Sequence, residues 1–134
     1  MKNLTTKRKT NKHKLKNKIN KIQHDISNYK SVKQEVKILA VSKQQREEKI
    51  IQAQELGIKF FGENKVQEAE KKLSSFNQKT EIHMIGHLQS NKIKKALHIF
   101  DVIQTVESLK QSEKINKHAA ELKKEQRIFC QVNI

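Results

Sequence analysis

Val36-Lys37-Ile38-Leu39-Ala40-Val41-Ser42-Lys43 is a short apolar run, rich in branched side chains, that stops on a lysine. A run of this length bounded by polar residues reads as a strand, here over 37–42. The pattern recurs at 59–62, 82–86, 101–106 and 127–133, and each interval between the runs has helical spacing. Strand and helix in alternation imply a parallel sheet with right-handed crossovers, covered by the helices that make them.

The intervals carry their own helix signals. The first has Glu47 and Glu48 near its positive end, is expected to bury Ile50, Ile51 and Leu56, and has Gly57 where a left-handed residue would end it. In the second, Asn64 with Gln67 three residues on predicts a capped start, and Val66, Ala69, Leu73 and Phe76 share a face. Ser90 is placed to cap a third helix with Ile93 and Leu97, and Ser108 a fourth with Leu109, Ser112, Ile115, Ala119 and Leu122. Ahead of the repeat, Leu15, Ile19, Ile22, Ile26 and Tyr29 form one stripe of a docking helix. Residues 1–14 have little to bury and read as a basic disordered tail.

Charge and composition narrow the function. The chain has 134 residues and a formal charge of +15, but eleven Lys/Arg against the single acid Asp25 fall within residues 1–33. Arginine occurs only at positions 8, 46 and 127. Specific phosphate and base readers favour its bidentate fork, so specific nucleic-acid recognition is not expected, and a basic RNA- or membrane-adhering module stays a rival. Hydrophobic residues make up 34% and aromatics 4%, so any core is aliphatic and modest. The single cysteine, Cys130, cannot form an internal disulfide and sits in an apolar strand, where a buried, inert thiol is expected in a reducing cytoplasm. No window approaches the ~18 apolar residues of a membrane span.

Chemistry in such folds collects where strands end and helices begin. Lys43, Asn64, His87 and Thr105 all fall there. Lys43 by itself has two readings: a lysine whose amine snorkels into solvent, or one stripped of water that forms a Schiff base with an aldehyde. His87 reads equally as a loop or N-cap histidine. His83 and His87 have helical i, i+4 ligand spacing but flank a strand end, so no metal site is expected.

Ala40-Val41-Ser42-Lys43, Phe61-Gly62-Glu63-Asn64 with Val66-Gln67-Glu68, His83-Met84-Ile85-Gly86-His87-Leu88-Gln89-Ser90-Asn91-Lys92 and Gln131-Val132-Asn133-Ile134 follow one another in order. Together they resemble the pyridoxal phosphate homeostasis protein family, the YggS/PROSC group. The resemblance covers about residues 15–134. It implies an α/β fold: a partial TIM (β/α)8 barrel of the alanine racemase N-terminal domain type, with about five βα units and an N-terminal helix. It also implies pyridoxal 5′-phosphate (PLP) as cofactor, held as an aldimine on Lys43, with Asn64 and His87 bordering it. The implied role is that of a non-catalytic carrier in PLP homeostasis; an alanine racemase-like enzyme fragment is the rival within the same fold.

Two features depart from the family pattern. A second lysine and a proline commonly follow the family's lysine, whereas Gln44, Gln45 and Arg46 follow Lys43. A closed (β/α)8 barrel takes about 250 residues, with phosphate sites usually built after strands 7 and 8. Residues 15–134 are therefore expected to form the N-terminal portion of the barrel without its C-terminal strands. Such a piece is expected to be a truncated remnant, to self-associate, or to require a separately encoded C-terminal half.

Overall fold

The computed structural model describes residues 2–29, 34–132 and 134, with side chains from residue 11 onward in those ranges. Asn133 of the terminal motif, Lys30 and Lys33 of the basic segment, and the side chains of Lys2, Lys7, Arg8 and Lys9 lie outside this description.

The elements run α1 (Lys2–Tyr29), β1 (Leu39–Val41), α2 (Glu47–Glu55), β2 (Phe60–Glu63), α3 (Val66–Lys71), a 3-10 turn (Leu73–Ser75), β3 (Glu81–Met84), a second 3-10 turn (Ser90–Lys92), α4 (Ile93–Ile99), β4 (Val102–Val106), α5 (Leu109–Glu121) and β5 (Arg127–Cys130). The five strands form one parallel sheet in the order β1-β2-β3-β4-β5. Neighbours in sequence are thus neighbours in space, as a barrel requires before it closes. With β1 and β5 at its two edges, the sheet is an open portion of that barrel.

Side-chain alternation divides the sheet into two faces. Phe61, Ile82, Met84 and Ile103 point to the helices and are almost wholly buried. One cluster packs β3 and β4 against α4 and α5 through Ile93, Ala96, Leu97, Phe100 and Ile115. The other packs Phe61 against Ile19 of α1 and Ile50 and Ala53 of α2. Phe61 also meets Phe76 edge to face, with ring centroids 5.5 Å apart. Burying such a side chain contributes about 1.5–3 kcal/mol.

α1 begins earlier than composition predicts. Residues 2–14 continue the helix instead of forming a disordered tail. The segment contains neither glycine nor proline, so nothing interrupts the backbone. Docking uses only part of the stripe: Ile19 is buried and Leu15 packs beside it, whereas Ile22 and Tyr29 are exposed. An ion pair between Lys12 and Glu55, 2.5 Å apart, ties α1 to the end of α2.

The caps divide similarly. Gly57 has φ +89°, its N–H donates to the Gln54 carbonyl and the Ile58 N–H to the Ala53 carbonyl, which together make the Schellman ending expected of α2. Ser108 caps α5 by accepting from the Gln111 N–H at 3.2 Å. Asn64 and Ser90 do not act as caps. The residues before α3 and α4 are Lys65 and Lys92, neither making a side-chain cap bond, because extended backbone intervenes in one case and a 3-10 turn in the other. Leu73 lies in the 3-10 turn after α3 and is partly exposed. On α2, Ile50 is buried but Ile51 is exposed, because adjacent residues of a helix do not share a face.

Candidate functional site

The register of the sheet brings the first strand ends side by side. Val41 pairs with Gly62, and Gly62 with His83, so the segments leading to Lys43, Asn64 and Gly86 emerge together at the carboxyl end of the parallel strands. The Ile85 N–H donates to the Glu63 carbonyl at 2.9 Å, extending the β2–β3 contact. Thr105 Oγ1 donates to the Gly86 carbonyl at 2.6 Å and ties β4 to the same loop.

Asn64 and His87 are brought together. With Gln67, Gly86, Gln89 and Lys92 they line a cleft of about 450 Å³. Within it the Gly86 backbone lies against that of Asn64, an approach that leaves no room for a β-carbon. His87 is exposed and pairs through Nδ1 with Glu107 Oε1 at 3.1 Å. Both partners are pinned from α5, where buried Gln111 donates to the carbonyl of Leu88, next to His87, at 3.0 Å and accepts from the Glu107 N–H at 3.0 Å. His83 is separate from this cleft: it is buried on β3, contacting Glu81 at 2.8 Å and Gln104 at 2.8 Å.

Lys43 occupies the adjoining strand end and is not among the residues lining that cleft. It lies in the turn after β1, exposed, and its amine makes no hydrogen bond or ion pair among the described residues. Beneath the turn lies a buried ionic cluster that strand patterning did not reveal. Lys72 Nζ donates to the Ser42 carbonyl at 2.8 Å, to Glu63 Oε1 at 3.0 Å and to Glu68 Oε1 at 2.6 Å. Ser42 Oγ also donates to Glu63 Oε1, at 2.7 Å, and Glu68 accepts from the Gln44 N–H. Glu63 is fully buried, and its Oε2 has no hydrogen-bond partner among the described residues.

Lys72 and Lys43 are therefore opposite kinds of lysine. Burial pulls the Lys72 ammonium down, but hydrogen bonds to Glu68 and Glu63 outweigh it and leave its pKa raised. The Lys72 hydrogen bond, in turn, holds the Glu68 carboxyl below its usual range. A protonated amine with three acceptors has no lone pair to offer. The sequence held one clue to this cluster, the i, i+4 spacing of Glu68 and Lys72. Nothing in it marked Glu63 as a second partner, since that depends on β2 turning this carboxylate toward the helices.

Cys130 departs from expectation. It is exposed, because β5 is an edge strand whose outer side is uncovered.

An open parallel β/α sheet with its polar groups at the carboxyl ends of the strands defines a partial barrel of the alanine racemase N-terminal type. A family model described as alanine racemase, N-terminal domain, matches residues 18–134. The pyridoxal phosphate homeostasis protein of Pasteurella multocida (strain Pm70) is 41% identical over 116 residues, which cover 84% of this chain and 50% of the relative. The solved structure of PipY from Synechococcus elongatus PCC7942 with PLP bound has 33% identity and a TM-score of 0.72, over 84% of this chain and 53% of that one. Alanine racemase from Clostridium difficile 630, at 17% identity and a TM-score of 0.64 over 79% of this chain and 29% of that one, shares the fold. The chain belongs to the alanine racemase N-terminal domain family, and it is similar within it to pyridoxal phosphate homeostasis proteins. It spans about half the length of the curated relatives it matches.

Proposed function

We propose that this chain binds pyridoxal 5′-phosphate through Lys43 and serves intracellular PLP homeostasis as a carrier without a reaction of its own. The observation that carries this reading is the unengaged amine of Lys43 at the carboxyl end of β1, beside a neighbouring lysine whose amine is fully occupied. The bound PLP of PipY supports it.

The residues present fit the group. PLP supplies an aldehyde that a primary amine can hold reversibly. Lys43 offers that amine, and the adjoining cleft offers the Asn64 amide, the His87 imidazole and the Lys92 ammonium to a polar, anionic ring system. At Gly86 a β-carbon would stand against the Asn64 backbone, so the cradle beside Asn64 requires glycine. His87 and Asn64 border the cofactor and orient it, while Lys43 holds it.

A carrier needs no acid or base working on a bound amino acid, which separates this reading from a racemase. Among the described residues no helix is long and apolar enough to cross a membrane, and a cytoplasmic setting accords with the lone, exposed thiol. The uncovered edges of β1 and β5, with Val41 and Phe129 exposed, suit pairing with further strands that would complete the barrel.

The test is borohydride treatment of the chain with PLP, followed by peptide mapping. The adduct is expected on Lys43 and absent from Lys43→Ala. Equal labelling of both proteins would remove Lys43 from this role.

A further inference from the structure

The ionic cluster beneath the Lys43 turn is hard to explain as a device for stability. Two carboxylates and one ammonium are brought together largely out of water, and one oxygen of Glu63 is left without a partner. Apolar side chains filling such a space usually serve stability as well as a buried ion pair does, or better. What the cluster does provide is directed hydrogen bonds, and these converge on the two residues flanking Lys43.

Ser42 is held three ways. Its N–H donates to the Gly62 carbonyl at 3.0 Å, its carbonyl accepts from Lys72, and its hydroxyl donates to Glu63. On the other side, Gln44 has φ +58°, a left-handed conformation that side-chain-bearing residues adopt at a cost. Its N–H is captured by Glu68, and the Gln45 N–H closes the turn onto the Ser42 carbonyl at 3.0 Å. Lys43 is the one residue of the three that makes no hydrogen bond to the cluster among the described residues.

We propose that Glu63, Lys72 and Glu68 are positioning residues that clamp the turn from Ser42 to Gln44, so that the Lys43 amine is presented from a fixed backbone. The split of roles follows from the chemistry. Lys72 bridges the two carboxylates, Glu63 anchors the strand side of the turn through Ser42, and Glu68 anchors the helix side through Gln44. The significance for the cofactor rests on the Lys43 reading above; the clamp itself does not.

The experiment is amide hydrogen exchange on the full chain, read at Ser42, Gln44 and Gln45, with Ile103 in β4 as remote reference. The double variant Glu63→Leu with Lys72→Met replaces the pair by apolar groups and is the variant best suited to keep its fold. Exchange at Gln44 and Gln45 is expected to quicken about fivefold or more, the loss of a net hydrogen-bond contribution, while Ile103 stays within about twofold. Glu68→Ala, at a half-buried position, is the second variant and should quicken Gln44 while leaving Ser42 protected through Gly62. Unchanged exchange at Gln44 in both variants overturns the clamp. Borohydride trapping with PLP, run in parallel, tests the other reading: wild-type protein that is not trapped on Lys43, yet shows the exchange changes, retains the clamp and loses the cofactor lysine.

Discussion

Gly86 lies so close to Asn64 that a β-carbon built on it would stand 2.3 Å from the Asn64 carbonyl oxygen and 2.8 Å from its Cα. Both atoms are backbone and cannot swing aside. Gly86→Ala should therefore cost about 2–3 kcal/mol, as overpacking that must move a strand end does. Gly57→Ala meets no atom within 4 Å but must hold φ +89°, a cost of about 1–2 kcal/mol. The three atoms nearest a β-carbon on Gly62 all belong to the Ile85 side chain, Cδ1 at 2.8 Å and Cγ1 and Cγ2 at 3.3 Å, and a rotamer change there should hold the cost below about 1 kcal/mol. Urea unfolding of the three variants should rank them in that order, and a Gly62→Ala variant as damaging as Gly86→Ala would contradict it.

Why the fold was readable while part of the site was not comes down to range. Branched apolar runs and the Gly57 stop are local signals, and they placed all five strands and the end of α2. The same signals locate the strand ends, and Lys43, Asn64 and His87 do lie just beyond β1, β2 and β3. Glu63 and Lys72 were missed because their pairing depends on a side chain of β2 and the end of α3 meeting in space, which no spacing encodes. Cys130 was misjudged for a related reason. Its strand pattern says buried, but an edge strand has no neighbour to bury it.

Helix capping offers a paired test. Ser108 Oγ accepts from the Gln111 N–H, so Ser108→Ala should destabilise the chain by about 1 kcal/mol. Ser90 begins a 3-10 turn and caps nothing, so Ser90→Ala should lie within about 0.5 kcal/mol of wild type. Thermal unfolding of both variants checks this; equal losses would mean that α4 draws on a cap at Ser90 after all.

His83 should make stability depend on pH. Burial holds its pKa below the ordinary 6.5, against the pull of Glu81. In its neutral form Nε2–H donates to Glu81 and Nδ1 accepts from Gln104, so both ring nitrogens are satisfied without a proton being added. As pH falls below 6.5 the unfolded histidine takes up a proton that the folded one resists. The unfolded state then binds more protons, and stability declines until the folded pKa is reached. Glu81, whose pKa is lowered because Arg127 and His83 outweigh its burial, contributes stability that is lost only below 4.5. Urea midpoints at pH 7.5 and 5.5 should therefore fall for wild type and fall less for His83→Gln. Parallel declines would mean that other groups govern this range.

The contrast between Lys43 and Lys72 can be read without any cofactor. Amine acylation requires a neutral nitrogen that the reagent can reach. Lys43 is exposed and unengaged, whereas the Lys72 side chain is 9% exposed and donates to three oxygens. Limited treatment of the native chain with acetic anhydride, followed by peptide mapping, should modify Lys43 early and leave Lys72 intact until the protein unfolds. In Glu63→Gln the ammonium loses one of its two anionic partners, so Lys72 should become reactive sooner, by about an order of magnitude if the lost charge-assisted bond contributes ~1.5 kcal/mol. Early acylation of Lys72 in the wild-type chain would show that the buried cluster does not persist in solution, and with it would go the division of labour between the two lysines.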